Sequence, residues 1–137
     1  MKKKIWIMNH YATNSYFSSG GRHYWFAENL IKQGYEPTIF CANTRHNSDD
    51  VIELKGELYS TDIKDNIPFV FVKTPEYKGN GRSRILNMVS FYKNLHLVSN
   101  KYSNLYGKPD VILASSVHPL TLVAGIKIAK KFGIACI

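Results

Sequence analysis

The chain has 137 residues, of which 45% are hydrophobic and 20% are charged. These proportions exclude collagen-like, low-complexity and charge-dominated disordered chains, and the length is sufficient for one domain with its own core. Lysine and arginine number 18 against 10 acidic residues, which gives a net charge of +8. This charge attracts phosphates, anionic lipid surfaces and nucleic acids alike. We therefore treat residues 1–137 as a single basic domain.

Cysteine usage and hydropathy indicate the compartment. Cys41 and Cys136 each lie in an apolar run, and we expect both to be buried, reduced thiols of a cytosolic protein rather than metal ligands. The basic amino terminus is followed by too few apolar residues for a signal peptide, and no stretch approaches the ~20 apolar residues of a membrane span. The sequence predicts a protein that is soluble or at most peripheral to a membrane.

The first part of the chain predicts one βαβ unit. The apolar run at 4–9 is typical of a strand buried on both faces, and a polar loop is expected over 10–21. Residues 22–32 have helical spacing and end before Gly34. A second strand is predicted over 36–42, parallel to the first because a helix connects them.

The middle of the chain is less regular. Residues 43–66 are polar and predict long loops, followed by a strand over 67–73 and a turn-rich segment over 75–81. A long amphipathic helix is predicted over 82–106. Its apolar stripe comprises Ile85, Met88, Val89, Tyr92, Leu95 and Val98.

The last part returns to strand and helix alternation, with a strand over 110–114, a loop over 115–119, a helix over 120–132 and a strand from 134 to 137. This alternation predicts a doubly wound, mostly parallel, Rossmann-like α/β sheet flanked by helices. The ligand crevice of such a sheet lies outside the carboxyl ends of its strands. Because no capping element follows the last strand, we expect the natural protein to continue.

Gly20 and Gly21 directly precede the first long helix. Either they simply turn the chain, or they let a phosphate approach the helix amino terminus, where Arg22 and His23 add positive charge. The full G-x-G-x-x-G pattern is absent, so both interpretations stay open.

Ser115, Ser116 and His118 follow the strand at 110–114 and are predicted to reach the crevice, as is His10 after the first strand. Their hydroxyls and imidazoles suit hydrogen bonds to a sugar or a phosphate. The alternative is that Ser116 caps the next helix and His118 is an ordinary polar loop residue. No G-x-S-x-G pattern surrounds either serine, so we do not expect a nucleophilic serine.

The acidic residues after the second predicted strand have two interpretations. Asp49 and Asp50, near Arg45 and His46, are suited to a ribose or a metal, or form a solvated loop. The histidines lack zinc-ligand spacing, and no metal is expected.

A basic segment precedes the long helix. Lys78, Arg82 and Arg84, with Phe91 and Tyr92 beyond them, are suited either to an anionic membrane surface or to ordinary packing on the sheet. No nucleic-acid-binding module is recognised.

Three segments together resemble a known family. KIWIMNHYATN, SSGGRHYWFAENLIKQGYEPTIFCA and PDVILASSVHPLTLVAGIKIAKKFGIACI are similar to the amino-terminal domain of family 4 glycosyltransferases, above all the bacterial sugar transferases of O-antigen and capsule assembly. The resemblance implies the GT-B fold, in which two Rossmann-like domains face each other across a cleft. This chain resembles only the first, acceptor-side domain.

The resemblance also implies an activity. A retaining transferase of this family moves a sugar from a nucleotide-sugar donor to a glycan or lipid-linked acceptor, without a metal or another cofactor, at the cytoplasmic face of the plasma membrane. The missing carboxyl-terminal domain would supply most nucleotide-sugar contacts, so the fragment alone is expected to be inactive. The competing hypothesis is a non-catalytic module that binds a phosphate ligand or a membrane surface.

Site residues are implied position by position. His118 matches the histidine that contacts the donor sugar and positions the reacting centre, and Gly20 and Gly21 match the loop that approaches the donor diphosphate and the acceptor. Arg22 would favour the leaving diphosphate. The remaining expected substrate-binding residues are His10, His23, Ser115 and Ser116.

Overall fold

The computed structural model describes residues 2–45, 49–76 and 81–137. Within these ranges the strands are β1 (Lys4–Met8), β2 (Glu36–Ala42), β3 (Tyr59–Lys64), β4 (Ile67–Val72), β5 (Val111–Ala114) and β6 (Ala135–Cys136). The α-helices are α1 (Thr13–Ser18), α2 (Arg22–Lys32), α3 (Arg82–Tyr106) and α4 (Pro119–Phe132), and a 3-10 helix spans His10–Ala12. The predicted roles of His46 and Lys78, and the Gly79 and Asn80 part of the predicted turn, lie outside the described residues.

The strands form one sheet in the order β3-β4-β2-β1-β5-β6. β1, β2, β4, β5 and β6 are parallel, and β3 is antiparallel to β4. The order runs outward in both directions from β1, so the connections change direction between β1 and β5. That point is where a doubly wound sheet opens a crevice at its carboxyl edge.

Helices cover both faces of the sheet because alternate strand residues point to opposite sides. Ile5 and Ile7 of β1 pack with Tyr24 and Ala27 of α2 in one core cluster. Trp6 and Met8 belong to the other cluster, which contains Phe91, Leu95 and Val98 of α3 and Ala124, Ile128 and Ala129 of α4. The predicted doubly wound, mostly parallel, Rossmann-like architecture is confirmed.

Several predicted elements match the structure closely, including the helices at 22–32 and 82–106 and the strand at 36–42. The predicted loop over 10–21 is wrong, because residues 10–18 form the 3-10 helix and α1. Polar side chains hold this segment on the sheet edge. The Asn9 side chain accepts a hydrogen bond from the Tyr11 backbone N–H at 3.1 Å, and Thr13 Oγ1 donates to the Ala42 carbonyl at 2.6 Å.

The prediction of long loops over 43–66 is wrong in its last part, because Tyr59–Lys64 forms β3, which pairs with β4 in a hairpin. The described residues between β2 and β3 lie outside the helices and strands, as predicted. Asp65 and Asn66 make the two-residue turn of the hairpin with φ of 52° and 68°. Positive φ at both central positions matches the twist of paired strands, and Asp and Asn tolerate it better than most residues. β3 escaped prediction because it is an edge strand with polar residues on both faces.

The predicted apolar stripe of α3 is partly wrong. Leu95 and Val98 are buried as expected, but Ile85 is 61% exposed and Asn87 is fully buried. A stripe drawn from apolar residues alone omits an asparagine whose hydrogen bonds permit its burial. The expected burial of the cysteines is confirmed for Cys41, a free thiol whose burial raises its pKa to about 12, whereas Cys136 is only half-buried.

Gly125 determines how closely α4 approaches the sheet. A Cβ atom on this residue would lie 2.5 Å from the Ala114 Cβ on β5. Only glycine permits that approach, and the position of α4 in turn fixes His118 at its start. None of the helices within the described ranges combines the length and apolar content that crossing a bilayer requires.

Candidate functional site

The carboxyl ends of β1 and β5 meet at the point where the strand connections change direction. The Ser115 N–H donates to the Met8 carbonyl at 2.9 Å, and the Asn9 N–H donates to the Phe40 carbonyl at 3.0 Å. These backbone hydrogen bonds continue the sheet by one residue beyond its strands. They bring the loop after β5 beside the segment that follows β1.

An open crevice of about 310 Å³ lies at this edge. Arg22, His23 and Phe26 of α2 form one wall, and Ser115, Ser116 and Val117 form the other. Its floor is the sheet itself, through Ile7, Ala114 and neighbouring apolar side chains. The structure thus brings together Arg22, His23, Ser115 and Ser116, which were predicted separately.

Gly21 directly precedes α2 and adopts φ 102°, a backbone conformation that residues with a side chain rarely adopt. A Cβ atom there would also lie 2.9 Å from the Ser15 hydroxyl. Gly21 therefore turns the chain, in agreement with the first of the two interpretations of the sequence. It is also the residue before the first turn of α2, and as a glycine it has no side chain that could cap the helix. The turn and an anion-binding role are compatible at this position.

His23 is oriented by a residue that the sequence interpretation missed. Asn9 uses its side-chain oxygen for the Tyr11 N–H, so its amide nitrogen faces His23 and donates to Nδ1 at 2.9 Å. The neutral imidazole therefore carries its hydrogen on Nε2. Burial lowers the pKa of His23, and the Arg22 charge lowers it further.

His10 and His118 form a second group, which we call the buried histidine pair. Their rings stack 5.1 Å apart at 11°. Both are almost fully buried, and the Phe91 ring of α3 packs edge-on against His10 at 4.8 Å. The pair thus lies in the interior at the α3 side rather than on the wall of the open crevice.

His118 is 1% exposed, and neither ring nitrogen has a hydrogen-bond partner among the described residues. The nearby Thr121 hydroxyl on the first turn of α4 is likewise buried and unpartnered within those ranges. Leaving such a buried polar group unsatisfied costs roughly 1–3 kcal/mol. Burial lowers the pKa of His118, an interaction with the residue's own backbone opposes this shift, and the Arg84 charge lowers the pKa further. The net direction is downward, so the imidazole is neutral near pH 7 and offers one donor and one acceptor.

The alternative roles proposed for this loop are not observed. His118 is the residue before the first turn of α4, and its side chain makes no capping hydrogen bond. Ser116 lies two residues before that position, so it is not the residue that caps the helix. The Ser115 hydroxyl instead accepts a long hydrogen bond of 3.4 Å from the Val117 N–H. Pro119 begins the helix, consistent with its missing N–H and fixed φ.

A buried polar network supports His10. Its Nε2 bonds to Asn87 Oδ1, while Asn87 Nδ2 donates to Thr44 Oγ1 at 3.1 Å and to the Pro75 carbonyl at 2.6 Å. The Thr44 and Thr74 hydroxyls are 2.7 Å apart. Thr44 and Thr74 lie just beyond the ends of β2 and β4, and polar residues at strand ends are a signal that the sequence alone offered. Nothing in the helix pattern distinguished Asn87.

Asp50, one of the two neighbouring acidic residues, has a structural partner. Arg45 Nη1 lies 2.8 Å from Asp50 Oδ2, and its Nε donates to Asn14 at 2.6 Å. Across the described ranges, no three His, Cys, Asp or Glu side chains gather in a way that suits a metal ion. Arg84, in the first turn of α3, donates to the Tyr11 hydroxyl at 3.2 Å beside the buried histidine pair.

The arrangement combines an open crevice that contains the positive charge of Arg22 with a neutral, buried imidazole, His118, at the end of the loop that forms its second wall. Such a site is suited to binding an anionic group and orienting polar hydroxyls. A scan for known protein families and a search of curated proteins both find no match to this chain.

Proposed function

We propose that this chain is the acceptor-side domain of a retaining family 4 glycosyltransferase with the GT-B fold. The full enzyme transfers a sugar from a nucleotide-sugar donor to a glycan or lipid-linked acceptor in cell-surface polysaccharide synthesis. The observation that carries the proposal is the unpartnered, buried imidazole of His118 at the start of α4. The three sequence segments that resemble the family include this residue and both walls of the open crevice.

His118 supports the proposal because its burial is costly without a ligand. A neutral imidazole locked against His10 donates one hydrogen bond and accepts another, which suits adjacent hydroxyls of a sugar. A residue that lowers stability in the empty protein and gains partners from a substrate is typical of a functional site. The family resemblance assigns His118 the contact with the donor sugar and the positioning of the reacting centre. Because its ring is 1% exposed, the side chains around it must move to admit that sugar.

In the proposed enzyme, the open crevice stabilises negative charge. When a sugar leaves a nucleotide-sugar, negative charge develops on the diphosphate. Arg22 and the positive end of α2 are placed to stabilise such charge, and Gly21 keeps side-chain bulk away from the approach. Ser115 and Ser116 supply hydroxyls on the opposite wall. The proposed mechanism relies on positioning and charge stabilisation, without a metal and without an enzymic nucleophile.

The proposal is tested by a sugar-transfer assay on the natural-length gene product and on the 137-residue chain, side by side. A panel of nucleotide-sugars is offered with a membrane-lipid extract as acceptor. We expect transfer by the natural-length protein, because a second domain is proposed to supply most of the nucleotide contacts. A metal chelator should leave this transfer unchanged, because the proposed mechanism uses no metal.

The absence of turnover by either protein with every donor would contradict the proposal. A pyrophosphate-binding titration then distinguishes the remaining hypothesis. Binding without turnover, lost on Arg22→Gln, would identify a non-catalytic phosphate-binding module.

A further inference from the structure

A cavity of about 380 Å³ lies at the amino-terminal edge of the sheet, and we call it the amino-edge cavity. It is larger than the open crevice and shares no lining residue with it. Much of its lining comes from the starts of β1, β2 and β4, whereas the candidate site lies at the carboxyl edge. Its volume is within the range of pockets that bind small molecules. The candidate site therefore leaves this cavity without an assigned ligand.

The floor of the amino-edge cavity is the face of the sheet that α3 covers. Trp6 packs with α3 in one core cluster, and Thr38 is its register partner on β2, so both point to this face. α3 ends over them at Tyr106, and Gly107 then turns the chain away with φ 87°. The cavity is the space that the end of α3 leaves open over the starts of β1 and β2.

Aromatic rings line the interior of this cavity. Tyr102 packs edge-on against Trp6 at 5.7 Å, and the Tyr106 ring lies 4.5 Å from that of Tyr102. Trp6 is 1% exposed, so the inner end of this aromatic row belongs to the core. Tyr106 is 55% exposed, and Tyr35, which also lines the cavity, is 38% exposed. Two tyrosine rings are therefore available to a ligand beyond what the core requires.

The inner polar groups of the cavity already have partners within the protein. Burial raises the pKa of the Tyr102 phenol, and a hydrogen bond with Thr38 opposes that shift. The Lys4 ammonium donates to the Tyr106 carbonyl at the end of α3, where the helix dipole favours a positive charge. These hydrogen bonds hold the aromatic row in place. They leave the interior of the cavity with few groups that can bind the hydroxyls of a ligand.

The polar groups at the mouth of the cavity differ from the inner ones. Lys2, Glu36 and Asn66 line the cavity and are exposed. Within the described ranges, none of these three side chains makes a hydrogen bond or an ion pair. Asn66 offers an amide that donates and accepts, Glu36 offers an acceptor and Lys2 offers a donor. The two charges are opposite, so these polar groups favour a neutral ligand over an anion.

We propose that the amino-edge cavity binds the base of a nucleoside, specifically a base with an exocyclic amino group such as adenine. The Tyr35 and Tyr106 rings would pack on the base, since every base presents a π-face to an aromatic side chain. The Asn66 amide would accept from the amino group and donate to a ring nitrogen, the pairing that asparagine makes with adenine. The Glu36 carboxylate would accept from the other amino hydrogen.

A sugar is the competing occupant, because a sugar ring also packs on tyrosine. It presents hydroxyls around its whole rim, and each hydroxyl that becomes buried requires a hydrogen-bond partner. The inner polar groups of this cavity are already hydrogen-bonded within the protein. A planar base buries apolar faces and needs partners only at its edges. The division of the cavity into an aromatic interior and a polar mouth therefore favours the base.

Equilibrium dialysis of the 137-residue chain against radiolabelled adenosine tests the inference. The test is independent of sugar transfer, because no residue that lines the cavity belongs to the candidate site. We expect one bound adenosine per chain. Inosine has a carbonyl in place of the amino group and is expected to bind at least about tenfold more weakly, because Glu36 would then face another acceptor. AMP is expected to bind within about threefold of adenosine, since the charges of Lys2 and Glu36 are opposite.

Two variants with matched controls locate the binding site. Tyr106→Ala is expected to weaken adenosine binding by at least about tenfold, whereas Leu105→Ala, at an exposed neighbour outside the cavity, should bind as the unaltered chain does. Asn66→Asp tolerates the positive φ of the turn but lacks the amide donor, and a similar loss is expected. Its control, Asn104→Asp, makes the same change of charge at an exposed position outside the cavity. Circular dichroism shows whether each variant is folded.

Four results would overturn the inference. One is a lack of adenosine binding up to its limit of solubility. Another is equal affinity of the Tyr106→Ala and Leu105→Ala variants, which would place the ligand elsewhere. Equal affinity for adenosine and inosine would show that the protein does not recognise the amino group. Displacement of adenosine by methyl glucoside or by pyrophosphate would assign the cavity to a sugar or to an anion.

Discussion

Ser116 and His118 are two residues apart, yet one belongs to the open crevice and the other to the buried histidine pair. Ser116 is exposed on a loop wall, whereas His118 is enclosed by α3, α4 and the His10 ring. The exposed wall residues of the crevice, such as Ser116 and Arg22, can change with little effect on the core, because they lie at the surface. Residues around the buried pair combine a role in the site with a role in the fold. Variants whose effects on activity and on stability differ therefore test whether the crevice and the buried histidine pair have these different roles.

The largest effect is expected for His118→Phe. Phenylalanine keeps an aromatic ring against His10 but removes both unpartnered nitrogens. We expect transfer by the natural-length protein to fall by roughly a hundredfold to a thousandfold, the loss typical of removing one well-placed hydrogen-bonding group. The free energy of unfolding should be unchanged or higher by about 1 kcal/mol. Steady-state kinetics and urea denaturation measure the two quantities, and a loss of stability with normal turnover would reverse the assignment.

Asn87→Ala should affect the fold instead. Its side chain bonds to His10, Thr44 and the Pro75 carbonyl, and truncation leaves these buried groups without it. We expect the free energy of unfolding to fall by about 3 kcal/mol in urea denaturation. The matched control is Asn94→Ala on the same helix, which loses one exposed hydrogen bond to the Lys73 carbonyl and should cost under about 1 kcal/mol. Equal losses would mean that the buried network is not specially important.

Arg22→Gln tests the open crevice. The guanidinium is exposed at the start of α2, and its removal should weaken pyrophosphate binding by about tenfold at low salt. Stability should change by less than about 0.5 kcal/mol, as is usual for exposed positions. Isothermal titration with pyrophosphate gives the affinity. Lys32→Gln, at the opposite end of α2, is the control and should bind as the unaltered chain does.

The smallest expected effect is a pH dependence of stability. Burial lowers the pKa of His118, and the pKa values of His23 and His96 are lowered in the same direction. The unfolded chain, whose histidines titrate near about pH 6.5, takes up protons before the folded chain does. Stability is therefore present above about pH 6.5 and is lost as the pH falls towards the lowered folded-state values.

His118→Phe should reduce this loss without abolishing it, since two shifted histidines remain. Urea denaturation at about pH 7.5 and about pH 5.5 measures the change for each protein. An identical loss in the variant and the unaltered chain would show that His118 contributes nothing to it.

Much of the architecture was predictable from the sequence. The apolar run of β1 and the spacing of α2 lead directly to a parallel βαβ unit, because burial on both faces and a connecting helix leave few other arrangements. The carboxyl-edge rule predicted that Ser115 and Ser116 line the crevice, and the structure places both on its wall. The same rule predicted His10 and His118 there, whereas the structure places both rings in the interior. Local patterns suffice for the confirmed features, since each depends on residues close together in the chain.

Other features depended on partners distant in the chain. Asn87 is buried because Thr44, Pro75 and His10 meet its amide, and no helix pattern contains that information. β3 is a strand because β4 pairs with it, although its own residues are largely polar. His118 is enclosed because Gly125 lets α4 approach β5 closely.

The distribution of charge separates what the sequence determined from what the tertiary structure decided. The sequence by itself determined that residues 77–137 carry the whole net charge. Only the tertiary structure decided that α3 and α4, which hold seven of the nine basic residues of this segment and no acidic residue, would lie side by side. The physical reason is that composition is a property of the chain, whereas a surface exists only where separate helices pack against one sheet.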